Sequence, residues 1–287
     1  METMRNINNQ MLSVVSRFCN DFSGQVEGLI SLIPEDMSTA PEHFTNLHKL
    51  HAETHRLCGA SHCMGFLQVG RELEKIDREV MSLNGASPDR VRQTLPIIRR
   101  KLEAVNREFG WLSPARSKLI NRASALEELE AAEKDGELER ASENAKMRIL
   151  GREKVLFADD DPYVRELMEQ TLTELGVNDI AVASSGREVL DMLETFEPTV
   201  LVTDWNMEPV SGLELLKRIR QGRTSLERDT PVMFFTAVKD RKGIMEANRY
   251  GLNQLLSKPL LPSELSEAVL KVVGKRFQTR NKVWDVG

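Results

Sequence analysis

Apolar residues recur through the first third of the chain with the period of an α-helix. Ile7, Met11, Val14, Val15, Phe18, Phe22, Val26, Leu29, Ile30 and Ile33 are spaced as one face of one or two helices requires. Pro34 ends the run, because proline cannot continue the hydrogen-bond ladder. Residues 43–66, HFTNLHKLHAETHRLCGASHCMGF, follow with Pro41 near their start. At about 100° of rotation per residue, Leu50, Leu57 and Met64 form one apolar stripe. His51, His55, Cys58 and His62 form a second stripe more than a quarter-turn away, expected to face solvent or a partner. Val69, Leu73, Ile76, Val80 and Leu83 continue the helical period to Asn84-Gly85, a C-terminal stop. Ser87-Pro88 reads as an N-cap followed by proline at the first helical position, opening a helix over 88–109 that Pro96 should bend. Residues 1–112 are therefore expected to form an antiparallel helical bundle.

Ser113-Pro114 opens a further helical pattern running to Gly151. Between residues 124 and 148 it carries eight acidic and four basic residues and few core-forming side chains, so residues 113–151 read as a solvated helical linker. A weaker alternative is a short coiled-coil seam, and with it a weak dimer, through Leu119, Leu126, Leu129, Leu138, Ala141 and Ala145, interrupted around Glu133 to Gly136. From Glu153 the pattern changes. Short apolar runs at 154–158, 179–183, 199–203, 231–235 and 254–257 alternate with helical patterns after Pro162, Gly186, Gly212, Asp240 and Pro262. Such alternation predicts a doubly wound five-stranded parallel sheet over residues 152–280, with helices on both faces and right-handed crossovers.

Composition narrows the function. A length of 287 residues accommodates two domains. The net charge of -5 and a longest basic run of Arg99, Arg100 and Lys101 argue against a nucleic-acid binder held by phosphate contacts. Three cysteines supply no disulfide framework and fit a reducing cytoplasm; Cys19 and Cys63 read as structural. The N-terminus has no basic segment followed by an apolar core, and no apolar run suits a bilayer. Neither a secretory leader nor a membrane span is expected.

Polar residues of the second half gather where strands should end, the edge at which open parallel sheets bind ligands. The first strand runs into Asp159-Asp160-Asp161, the third into Asp204, the fourth into Thr236 and the fifth into Lys258-Pro259. Acids brought together from two strands repel one another unless a cation sits among them, and oxygen ligands with room for water suit Mg2+. Lys258 and the Thr236 hydroxyl then suit an anion attached at Asp204, an arrangement that supports phosphoryl transfer. The segments FADDDP, TDWNMEPVSGLELL, FFTA and SKPL resemble the response-regulator receiver family. That resemblance implies that Asp204 is the phosphoacceptor and that Asp159, Asp160 and Asp204 hold Mg2+ with the main-chain carbonyl of Asn206. It also implies that Thr236 and Lys258 contact the phosphoryl group. Two positions depart from the family pattern. Leu255 stands where Tyr or Phe is usual three residues before the lysine, and Met207-Glu208-Pro209 replaces the usual Met-Pro-Gly.

All five histidines lie in residues 43–66. Beside a receiver, HRLCGASHCMGF resembles the histidine-containing phosphotransfer (HPt) family: His55, a small residue four positions on at Gly59, and a glycine ten positions on at Gly65, with Leu73-Glu74 on the next helix. By that resemblance His55 is a phosphohistidine nucleophile, Gly59 leaves room for an approaching receiver, and Cys58 replaces the usual lysine. Two other readings of the same face stand beside it: a metal site drawn from His51, His55, Cys58 and His62 and completed by another chain, since one helix cannot converge four ligands on a tetrahedral ion, and surface histidines without a role. The expected function is a cytoplasmic phosphorelay protein, not a conventional enzyme, that exchanges phosphoryl groups with a sensor histidine kinase or other receivers and signals to a protein target. No Gly-rich ATP-binding segment and no DNA-binding or catalytic output domain is expected. The alternative is a receiver-controlled adaptor whose bundle binds a partner without carrying phosphate.

Overall fold

A computed structural model describes residues 2–35, 46–132, 136–237 and 241–284. Pro41 and His43, at the expected start of the histidine helix, and Asp240, before the fourth helix of the second half, lie outside them. The chain divides into two compact units, one of residues 12–121 and one joining residues 1–11 to 122–287.

The first unit is helical. The periodic run at the start forms one helix, α1 (Glu2–Ser31). It is followed by α2 (Leu47–Cys63), α3 (Leu67–Met81) and α4 (Pro88–Phe109). The spacing that predicted them also builds their core: Val14, Phe18, Phe22, Val26, Leu50, Leu57, Met64, Leu73, Ile98 and Leu102 are all essentially inaccessible to solvent. Phe18 of α1 stacks on Phe66 with ring centroids 5.9 Å apart. Ser87 caps α4, accepting from Arg90 N, with Pro88 in the first turn; the helix continues through Pro96.

Gly65 is the tightest point of this unit. Its φ of +84° is open to glycine at little cost, and a Cβ there would lie 2.4 Å from Leu119 N. The bare backbone lets the segment after α4 dock, with Lys118 N donating to Gly65 O and Ser117 Oγ to Met64 O (2.6 Å). Gly70 acts similarly where α3 crosses α2, since a Cβ would meet the His62 ring at 2.3 Å.

Two helices, α5 (Lys118–Ala132) and α6 (Gly136–Leu150), precede the sheet. Of the seam considered above, Leu119 is buried in the helical unit and Ala145 is exposed, while Leu129, Leu138 and Ala141 lie outside the described side chains.

The sheet contains β1 (Lys154–Ala158), β2 (Asp179–Ala183), β3 (Val200–Thr203), β4 (Val232–Thr236) and β5 (Gln254–Ser257), all parallel, in the order β2-β1-β3-β4-β5. Alternating with them are α7 (Pro162–Glu174), α8 (Gly186–Met192), α9 (Gly212–Arg220), α10 (Arg241–Arg249) and α11 (Pro262–Trp284). Every residue of the central β3 and β4 is buried, whereas the edge strands β2 and β5 are partly open. That contrast is what helices on both faces of a parallel sheet produce. Ser185 and Ser211 cap α8 and α9 through their hydroxyls.

Strand register positions the chemistry. Ala158, the last residue of β1, lies opposite Thr203, the last of β3, so the next residues, Asp159 and Asp204, emerge side by side. Strand order reverses between β2-β1 and β3-β4-β5, which opens a crevice at this edge.

Candidate functional site

The first site is a carboxylate pocket at the carboxyl edge of the sheet. Ligand oxygens of Asp159, Asp160 and Asp204 lie within 4.8 Å of one another. Lys258 reaches in from the end of β5, donating to Asp159 Oδ2 at 2.7 Å and Asp204 Oδ2 at 3.0 Å, and its side chain is only 1% exposed. The other carboxylate oxygens accept from the main chain, Asp159 Oδ1 from Asp161 N at 3.0 Å and Asp204 Oδ1 from Trp205 N at 2.6 Å. Thr236, buried at the end of β4, adjoins them through Lys258 N, which donates to Thr236 O. Asn206 is half-buried in the loop between Asp204 and α9. That loop closes on itself through Gly212, whose N donates to Trp205 O and whose Cβ would lie 2.3 Å from Asp204 O.

Asp161, third of the acidic triplet, has a separate task. Its Oδ1 accepts from Tyr163 N and Val164 N as the N-cap of α7. The triplet therefore divides into two residues facing the pocket and one that holds a helix.

Electrostatics identify what this pocket lacks. Burial pushes the Asp159 carboxyl up to about 8, and the charges of Asp204 and Asp160 push it the same way against the opposing Lys258. One ammonium is too little positive charge for three acids in a dry site. An all-oxygen donor set with a charge deficit fits a hard divalent cation such as Mg2+; Asp159, Asp160 and Asp204 would be its side-chain ligands.

The second site lies in the helical unit. His55 Nδ1 is 2.8 Å from Asp77 Oδ2, and His51 Nε2 is 3.5 Å from Asp77 Oδ1. The His51 and His55 rings remain 21% and 23% exposed, while Asp77 is buried on α3. Asp77 was missed in reading the sequence, although its signal is there: it sits on the buried face of α3 with Leu73, Ile76 and Val80. An acid on an apolar stripe demands a partner.

The expected display of the whole second stripe of α2 needs correction. Cys58 is buried, its Sγ donating to Gly70 O at 3.3 Å, and the His62 ring packs at Gly70 with Nδ1 against Cys58 O. The close approach of α3 at Gly70 buries Cys58 and packs against the half-buried His62 ring, so the paired imidazoles of the stripe are His51 and His55. Among the described residues, the cluster of candidate metal ligands here joins His51 and His55 to Asp77 of α3 and does not include Cys58 or His62. Cys19 and Cys63 are both buried, and burial pushes the Cys19 thiol up to about 11.

Comparison with known proteins agrees with the carboxylate pocket. Residues 155–270 match the response regulator receiver domain family. A chemotaxis protein CheY homolog of Campylobacter jejuni is 35% identical over 122 residues, 42% of this chain and 92% of the relative. Chemotaxis protein CheY1 of Helicobacter pylori is 33% identical over 122 residues, 42% of this chain and 97% of the relative. Among solved structures, the receiver domain of the Francisella response regulator 1452 is 30% identical and covers 44% of this chain and 99% of its own, with a TM-score of 0.39. The fold and the pocket thus define a signalling receiver. Through its C-terminal half, the chain belongs to the response regulator receiver domain family of two-component systems. Among the described residues no helix is long and apolar enough to cross a membrane.

Proposed function

We propose that this chain is a two-site phosphorelay protein in which Asp204 and His55 each carry a phosphoryl group. At Asp204, the carboxylate oxygen attacks the phosphorus of a partner's phosphohistidine; a P–O bond forms, the P–N bond breaks, and the imidazole leaves with its proton on the other nitrogen. Lys258, which bridges Asp159 and Asp204, and Thr236 at the adjacent strand end are positioned to meet the charge on the phosphoryl oxygens. Mg2+ held by Asp159, Asp160 and Asp204, with the Asn206 carbonyl as a further ligand, would supply the remaining charge neutralisation. The receiver catalyses its own phosphorylation in this way and is not an enzyme acting on a separate substrate.

The observation that carries the second half is the 2.8 Å pairing of His55 Nδ1 with Asp77 Oδ2. A carboxylate accepting from Nδ1–H places the ring's lone pair on Nε2 and fixes its orientation. As Nε2 attacks an acyl phosphate on a receiver aspartate, positive charge grows on the ring, and Asp77 stabilises it. The aspartate leaves as a carboxylate, and no proton has to move. Partners are a sensor histidine kinase or other receiver domains, with a protein target downstream, in the cytoplasm.

The competing reading, a receiver-controlled adaptor, is favoured by one feature: Cys58 sits against Gly70 O, where HPt proteins offer a lysine near the phosphohistidine. Incubation with a phosphorylated sensor kinase separates the two. The relay requires that His55→Gln and Asp204→Asn each remove a distinct label. If label resides only on Asp204 and the His55→Gln chain relays normally, the bundle is an adaptor.

A further inference from the structure

The second acceptor of the Asp77 carboxylate is poorly used. Its Oδ1 is buried without a hydrogen-bond partner, and His51 Nε2 lies 3.5 Å away, beyond good hydrogen-bonding distance. A buried carboxylate oxygen left in this state is costly. His51 and His55, four residues apart on α2, present one ring above the other, with centroids 6.0 Å apart. One atom from each histidine and one from Asp77 fall within 4.8 Å of one another.

We propose that His51, His55 and Asp77 form a zinc site whose occupancy silences phosphotransfer at His55. Two imidazoles and a carboxylate are the donor set of an open zinc site, with water in the fourth position. Ligands about 2.0–2.1 Å from a tetrahedral ion lie about 3.3 Å apart, close to the 3.5 Å between His51 Nε2 and Asp77 Oδ1. His55 Nδ1 lies 2.8 Å from the other carboxylate oxygen, Asp77 Oδ2, and one ligand atom from each of the three residues already falls within 4.8 Å of the others, so a small shift of the partly exposed His55 ring completes the set.

The consequence for His55 follows from its two nitrogens. A metal on Nδ1 displaces the proton that now lies toward Asp77, and a neutral imidazole bound through Nδ1 carries its proton on Nε2. Nε2 then has no lone pair with which to attack phosphorus. Zinc thus changes the tautomer of the nucleophile and takes away the carboxylate that would stabilise its charged form. The zinc site stands on geometry alone; the silencing rests on the phosphotransfer role proposed for His55.

The test uses the full chain, reduced, with Zn2+ titrated against a chromophoric chelator in a large excess of Mg2+ to occupy the carboxylate pocket. One Zn2+ binds per chain. His51→Ala, a change at a partly exposed position that leaves the core intact, weakens binding on the order of a hundredfold, at least the cost of losing an outer partner; Asp77→Asn does the same, and Cys58→Ser binds as the parent does. Equal affinity for parent and His51→Ala, loss of binding in Cys58→Ser, or no binding by the parent overturns the site. In a second arm, phosphoryl transfer to His55 from a phosphorylated receiver stops on adding Zn2+ and returns with chelator. Label on His55 that is indifferent to Zn2+ overturns the silencing. Absence of label in chelator, with zinc binding intact, instead sinks the phosphotransfer reading and leaves the zinc site standing.

Discussion

The two sites hold carboxylates in opposite ways. In the sheet pocket, three acids gather from two strand ends around one ammonium, Lys258, which two of them bind, so the charge is unbalanced and the pocket suits a cation. In the helical unit, one acid, Asp77, serves two imidazoles, so the carboxylate is the scarce partner and decides which nitrogen holds a proton. In the proposed relay, the difference matches two chemistries of phosphoryl carriage. An aspartate acceptor needs added positive charge around it, whereas a histidine nucleophile needs negative charge behind it.

The largest effect expected from breaking this contrast is at the acceptors. Asp204→Asn removes phosphorylation of the receiver altogether, read as loss of label from a phosphorylated kinase, because an amide oxygen cannot form the acyl phosphate. Next comes Asp77→Asn, which keeps the shape and removes the charge. Transfer to His55 falls about 100-fold, the scale of losing one oriented electrostatic partner of the developing charge, while phosphorylation of Asp204 by a kinase is unchanged; the two rates measured on one preparation check both halves.

A third change sharpens how far the histidine site depends on its scaffold. Gly65→Ala places a Cβ 2.4 Å from Leu119 N at a φ of +84°, a strain of about 1–3 kcal/mol for the backbone conformation alone. Thermal unfolding of the helical unit should move down by about 4 °C per kcal/mol.

A pH dependence confined to the sheet unit completes the set. The Asp159 carboxyl is raised by folding to about 8, so between the unfolded value near 4 and about 8 the folded state binds more protons than the unfolded one. Stability without divalent cation therefore falls as pH rises through this window. Mg2+ opposes the fall, and Asp159→Asn flattens it and raises the unfolding midpoint at pH 8. Midpoints recorded from pH 5 to 8, in chelator and in Mg2+, test the sign; a cation-free midpoint that climbs with pH contradicts it.

Much of this was legible in the sequence, for physical reasons specific to each region. Strands β1 to β5 announce themselves as short apolar runs bounded by caps and prolines, and parallel register carries the residues just after them to one edge. Asp159, Asp204, Thr236 and Lys258 could thus be gathered from spacing alone. The helical unit was legible only as helices. Periodicity found the buried faces of α1 to α4, yet it treats each helix as having one covered side. The close crossing of α2 and α3 at Gly70 covers part of a second side, which is why Cys58 is buried and the His62 ring packs at Gly70. Asp77 escaped because its partners lie on another helix, and no periodicity within α3 points to them.

Phosphate carriage on His55 as well as on Asp204 is tested most directly by incubating the Asp204→Asn chain, in chelator-treated buffer with Mg2+ restored, with a phosphorylated receiver domain and mapping the label. A two-site relay places an acid-labile, alkali-stable phosphoryl group on the peptide containing His55, absent when His55→Gln is added. An unlabelled chain, or label that survives His55→Gln, would contradict it.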